Sequence, residues 1–127
     1  MSDKSIVQKL FIKPGNKILL INPPEGFQQQ LGALPKDATI VSDTSPLVEV
    51  IQVFVANRAE LEAQLPRLKD FLAPKGMLWV TYRKGSSKVK TDINRDTIYT
   101  YAQSIGLEGV AMVSIDQDWT AFRFKVK

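Results

Sequence analysis

The residues best suited to chemistry in this sequence crowd into one stretch, RKGSSKVKTDINRD, from Arg83 to Asp96. Five basic side chains and one acid lie between Arg83 and Arg95, and Asp96 adds a second acid. Lys84, Lys88 and Lys90 can neutralise an anion, Gly85 lets the backbone fold tightly around it, and the Ser86 and Ser87 hydroxyls add donors. Thr91 or Asp92 is a suitable N-cap for a helix entered at Ile93. Unpaired N–H groups and the helix dipole at such a terminus favour negative charge, and Arg95 would form a second layer. The expected ligands are a phosphate-containing small molecule, nucleic acid or an acidic protein. The spacing is not that of a phosphate-binding P-loop, no aromatic residue interleaves with the lysines to stack bases, and the same composition also suits a solvated loop.

The chemistry that is missing narrows the field further. With neither cysteine nor histidine in 127 residues, there is no thiolate nucleophile, no zinc site of the common kind and no imidazole for proton transfer near neutral pH. Carboxylates, lysines, tyrosines and hydroxyls remain, and most need a strong pKa shift to act at pH 7. The expectation is therefore a binding module with no assigned catalytic residue. Glu25 is the acid to test, because parallel first and fourth strands would bring it to the same sheet edge as Lys84 and Lys88. Asp116 and Asp118 offer too few oxygen ligands for a metal and are read as turn residues. Trp79 reads as core, and Trp119 as a cover for one end of the sheet.

These residues need a scaffold, and the hydrophobic pattern supplies one. Ile6, Val7, Leu10 and Phe11 share one face of a leading helix over residues 3–11, which KPGN ends. KILLIN (17–22) reads as a strand and residues 27–31 as a short helix. ATIVSD (38–43) is a second strand. VEVIQVFVA (48–56) is a third, apolar in both parities, as a strand covered on both faces should be. Asn57 and Glu60 form a capping box before Leu61, Leu65, Leu68 and Leu72, with Pro66 expected to kink or restart that helix. Met77–Tyr82 is a fourth strand. Ile93, Ile98, Tyr101 and Ala102 line a helix that Gly106 ends, Val110–Ile115 is a fifth strand, and Phe122, Phe124 and Val126 alternate with cations in a sixth. The fold class is an α/β, three-layer Rossmann-like sandwich with a mainly parallel sheet of about six strands, closing in an antiparallel hairpin. It is read as a single domain over residues 1–127. No run reaches the roughly 18 apolar residues of a membrane span, and the expected location is cytoplasmic.

LAPKGMLWVTY and GVAMVSIDQDWTAFRFK resemble a late core strand and the closing hairpin of the Rossmann-like class I methyltransferases, with one strand–helix unit missing. ILLINPPEGF and KGSSKVKTDINRDT together resemble a small bacterial family of unknown function with that reduced architecture. The methyltransferase resemblance implies a ligand pocket around Asn22, Glu25 and Gly26, with Asp43 at the acidic position that holds the ribose of S-adenosylmethionine. That superfamily has a Gly-rich turn where this chain has Asn22-Pro23-Pro24-Glu25-Gly26, and the prolines remove two N–H donors. The expectation is accordingly no cofactor, S-adenosylmethionine included. The leading reading is a non-enzymatic binding module with an anion-binding basic loop. The alternatives are a degenerate methyltransferase, an enzyme acting on a phosphorylated small molecule, or a structural or interaction protein.

Overall fold

In a computed structural model that describes residues 6–41, 47–84, 92–116 and 118–126, six strands form one sheet in the order β2-β1-β3-β4-β6-β5. The strands are β1 (Lys17–Ile21), β2 (Thr39–Val41), β3 (Val48–Phe54), β4 (Leu72–Arg83), β5 (Leu107–Ser114) and β6 (Trp119–Val126). The helices are α1 (Ile6–Lys9), α2 (Phe27–Leu31), α3 (Arg58–Lys69) and α4 (Arg95–Ser104). β1 pairs in parallel with β2 and β3, and β3 with β4, whereas β6 runs antiparallel to both β4 and β5. This is the expected three-layer Rossmann-like arrangement with its closing hairpin.

The two-sided apolarity of β3 places it in the middle of the sheet. Ile51, Val53 and Val55 pack with Leu61, Leu65 and Leu68 of α3 and Ile98 and Ala102 of α4. Val50 and Phe54 point the other way, toward Ile6, Val7 and Leu10 and toward Phe27 and Leu31 of α2. Gln52 alternates onto that second face between them, fully buried, and donates to Thr81 Oγ1 at 3.1 Å.

Several boundaries differ from the expectation for physical reasons. The leading helix stops at Lys9, and Phe11, expected on its buried face, instead takes a left-handed backbone (φ 57°) and is 46% exposed. The helix containing Pro66 is neither restarted nor split. Proline removes the N–H that would reach the Glu62 carbonyl, and the Tyr101 hydroxyl of α4 donates to that carbonyl at 3.4 Å. β4 begins earlier than Met77, since Val48 pairs with Leu72 and Val50 with Met77, leaving 73–76 as an outward bulge. Gly76 is required there, because a Cβ would lie 2.8 Å from both the Ala73 carbonyl oxygen and Leu72 Cδ1. Among the described residues, no helix is long and apolar enough to cross a membrane.

Candidate functional site at the carboxyl edge

The chain leaves β1 for β2 on one side and later returns to β3 on the other, so the strand order reverses at β1. In an open α/β sheet, ligands occupy the crevice beyond the carboxyl ends of the strands at such a point. Here that crevice is bounded by the turn after β1, the start of α3 after β3, and the end of β4 at Lys84.

The turn after β1 has a defined shape. Asn22 is left-handed (φ 56°), a conformation that asparagine tolerates better than most side chains. Gly26 follows at φ 81° and ψ −1°, and the Phe27 N–H donates to the Pro24 carbonyl at 3.1 Å, which makes residues 24–27 a type II turn. Asn22 and Glu25 are exposed at this edge. α2 has only five residues and contributes no anion site of its own.

At α3, Asn57 caps as expected: its side chain accepts from the Glu60 N–H at 2.9 Å, and Glu60 accepts from the Ala56 N–H at 2.7 Å. Asp92 was a candidate cap for α4, but the cap there is Asn94, which accepts from the Thr97 N–H at 2.9 Å. Asp92 turns instead to α3 and accepts from the Arg58 N–H at 2.8 Å. A carboxylate thus already occupies one helix N-terminus at this edge, where an anion had been expected beside the other.

The hairpin end is similarly committed. Asp116 is a turn residue as expected, accepting from the N–H groups of Asp118 (2.8 Å) and Trp119 (3.0 Å). It also accepts from Gln30 Nε2 of α2 at 2.9 Å, tying the hairpin to the helix behind the β1 turn. Partial burial pushes the Asp116 carboxyl upward, but the hydrogen bonds from Gln30, Asp118 and Trp119, with the charge of Lys84, outweigh it and hold the pKa below the ordinary value. Trp119 covers this end of the sheet, edge-on to Phe54 at 5.1 Å, with the Arg83 guanidinium 4.5 Å above its ring. Burial pushes the Tyr82 phenol up, against the pull of Arg95.

Of the expected anion site, Lys84 and Arg95 are described, while Gly85, Ser86, Ser87, Lys88, Lys90 and Thr91 lie outside the described residues, as does Asp43. Lys84 does not pair with Glu25 among the described contacts. Its ammonium donates to Ser114 Oγ at 2.5 Å, and Arg95 sits 3.5 Å from its neighbour Asp96. No group of described residues could hold a metal ion. The expectation missed Asp92 as a cap for α3 and the Gln30–Asp116 link, neither of which has a local sequence signal. It also missed the amide of Gln52, whose Oε1 is buried without a partner. A lone glutamine inside VEVIQVFV was the visible sign of that.

The sequence matches no protein-family model and no curated protein. Solved structures do match in fold. A ribosomal protein L11 methylase from Lactobacillus delbrueckii subsp. bulgaricus aligns over 96% of this chain and 75% of its own, with a TM-score of 0.63 and 11% identity. A TehB-like SAM-dependent methyltransferase from Corynebacterium glutamicum aligns over 99% and 90%, with a TM-score of 0.60 and 15% identity. Fibrillarin from Aeropyrum pernix, solved with natively bound S-adenosyl-L-methionine, aligns over 90% and 68%, with a TM-score of 0.60 and 14% identity. At such identities the likeness is one of fold, and the fold is that of SAM-dependent methyltransferases.

These neighbours, fibrillarin with S-adenosyl-L-methionine bound among them, overturn the expectation of no cofactor. The physical reason lies in the β1 turn. Counting glycines and prolines misses that two residues of this turn, Asn22 and Gly26, take the left-handed conformation that glycine favours.

Proposed function

We propose that this chain is an S-adenosylmethionine-binding, methyltransferase-like domain that holds the cofactor at the carboxyl edge between β1 and β3. The observation that carries this reading is the reversal of strand order at β1, where a turn with two left-handed residues opens the crevice. The fold likeness to methyltransferases over most of the chain supports it.

Asn22, Glu25 and Gly26 would line the cofactor from the β1 turn, and Asp43, by its resemblance to the acidic position of that superfamily, would accept from the ribose hydroxyls. When bound, S-adenosylmethionine supplies an electrophilic methyl group. The chain's own task is to orient an acceptor and take up its proton. With no histidine or cysteine, the carboxylates are the side chains ordinarily deprotonated at pH 7 and so able to accept the proton without a large pKa shift. Asp92 and Asp116 are held by backbone and side-chain donors, and the exposed Glu25 on the β1 turn is the carboxylate assigned to this task.

Isothermal titration with S-adenosylmethionine and with its demethylated product, S-adenosylhomocysteine, tests the reading. Saturable one-to-one binding, weakened in Asp43→Asn, is expected. Absence of binding to either compound at millimolar concentration would refute it.

A further inference from the structure

At the opposite, amino edge of the parallel strands lies a depression of about 640 Å³ whose walls include Phe11, Lys13, Lys75, Met77, Arg123 and Lys125. A second depression of about 410 Å³ shares the wall formed by Pro74, Lys75, Gly76 and Lys125 with the first and extends past Lys69. Together they make a track lined by five cationic side chains, of which Lys125 lies 3.3 Å from Glu108 at the surface and Lys69 donates to the Ile105 carbonyl at 2.6 Å. Of the two acids on its walls, Glu49 is engaged by the Lys17 N–H at 2.7 Å.

Two residues here carry a conformation ill suited to their type. The non-glycine residues with positive φ among those described are Phe11, Asn22, Asp37 and Lys75. Asparagine and aspartate tolerate that region, whereas a bulky phenylalanine or a lysine there is strained, and such strain clusters at functional sites. Both of the strained types line this track. Phe11 combines the strain with a second oddity, a large apolar residue 46% exposed to solvent, its ring stacked on Trp79 at 6.5 Å.

Beneath it, Arg123 is fixed over aromatic rings. Its guanidinium carbon lies 5.2 Å from the Phe11 ring centre and 5.9 Å from that of Trp79, and Nη1 reaches Met77 Sδ at 3.8 Å. No carboxylate pairs with it among the described residues. An oriented guanidinium with donors to spare, lysines on either side and an exposed ring are the components that hold phosphates and stack a base. The positive charge of the track opposes docking of a second copy through the same face, and cations spread over two neighbouring depressions suit a polymer.

We propose that the amino edge binds single-stranded nucleic acid, with a base stacked on Phe11 and phosphates held by Lys13, Lys75, Arg123 and Lys125. This does not rest on cofactor binding at the other edge.

The test is fluorescence anisotropy of a labelled 12-nucleotide oligo(U) across a salt series, with polyglutamate as a competitor and circular dichroism melts of every variant. Four phosphate contacts predict a slope of log K against log salt of about −2.8, falling to about −1.4 in a Lys75→Gln/Arg123→Gln double variant. Phe11→Asn should weaken binding by about tenfold. Because the Phe11 ring also stacks on Trp79 and meets Arg123, binding is compared at a temperature where the melt of each variant shows it fully folded, which separates lost base stacking from lost folding. Lys88→Gln/Lys90→Gln should leave binding unchanged. The proposal is overturned if the oligonucleotide does not bind, if the amino-edge variants bind as the parent does, if only the Lys88/Lys90 variant loses binding, or if polyglutamate competes as well as unlabelled oligo(U).

Discussion

Replacing Asn22 by valine tests whether the bend after β1 is a real conformational demand. Asn22 has φ 56° and is exposed, so the substitution removes no core contact and opens no cavity. The effect is then dominated by backbone strain. A left-handed conformation costs an ordinary L-residue roughly 1–2 kcal/mol, which asparagine partly escapes and a β-branched residue does not. Asn22→Val should therefore lower stability by about 1–2 kcal/mol, a fall in Tm of about 3–10 °C for a chain of this size. Asn22→Gly adopts the same φ freely and should stay within about 0.5 kcal/mol of the parent, its wider unfolded ensemble offsetting the relief of strain. Urea unfolding followed by circular dichroism measures all three proteins, and equal m-values would let the midpoints be read directly as stabilities. If the valine and glycine variants unfold at the same midpoint as the parent, the left-handed bend is not what shapes this turn.

Three further outcomes follow from named contacts. Tyr101→Phe removes the hydroxyl that meets the Glu62 carbonyl left free by Pro66; the bond is long, so the loss should be near the low end of about 0.5–1.5 kcal/mol, and Pro66→Ala in the same background should recover it in a double-mutant cycle. Gly76→Ala forces a Cβ to within 2.8 Å of the Ala73 carbonyl oxygen and should cost about 1–3 kcal/mol by thermal unfolding. Asp116 has a carboxyl pKa below its ordinary value in the folded chain, so its contribution is present above the unfolded value of about 4 and is lost as pH falls through the folded value. The stability gap between the parent and Asp116→Ala should hold from pH 7 to about 5 and shrink toward pH 3 in urea titrations; a gap independent of pH would contradict it.

The fold was legible where local chemistry and the tertiary environment agree. Apolar residues at both parities of β3 placed it mid-sheet, Asn57 with Glu60 marked the start of α3, and the alternation at Phe122 and Phe124 marked the closing strand. The candidate site was less legible, because its features arise between distant segments. Asp92 reads locally as a cap for the helix that follows it, yet its carboxylate meets the Arg58 N–H on a helix 34 residues earlier. Phe11 fits the periodicity of the leading helix, but the chain turns left-handed at that residue and leaves it half-exposed. Composition also misled at Asn22-Pro23-Pro24-Glu25-Gly26. Lost N–H donors can be counted from prolines, whereas a left-handed asparagine cannot be counted from anything.

Cofactor binding at the carboxyl edge is tested most directly by recording backbone amide NMR shifts while S-adenosylhomocysteine is titrated into the protein. Saturable shifts at Asn22, Glu25, Gly26, Ala56 and Asn57, with the amino-edge residues Lys13, Lys75 and Arg123 unmoved, are the predicted result. Spectra that do not change, or changes confined to the amino edge, would contradict it.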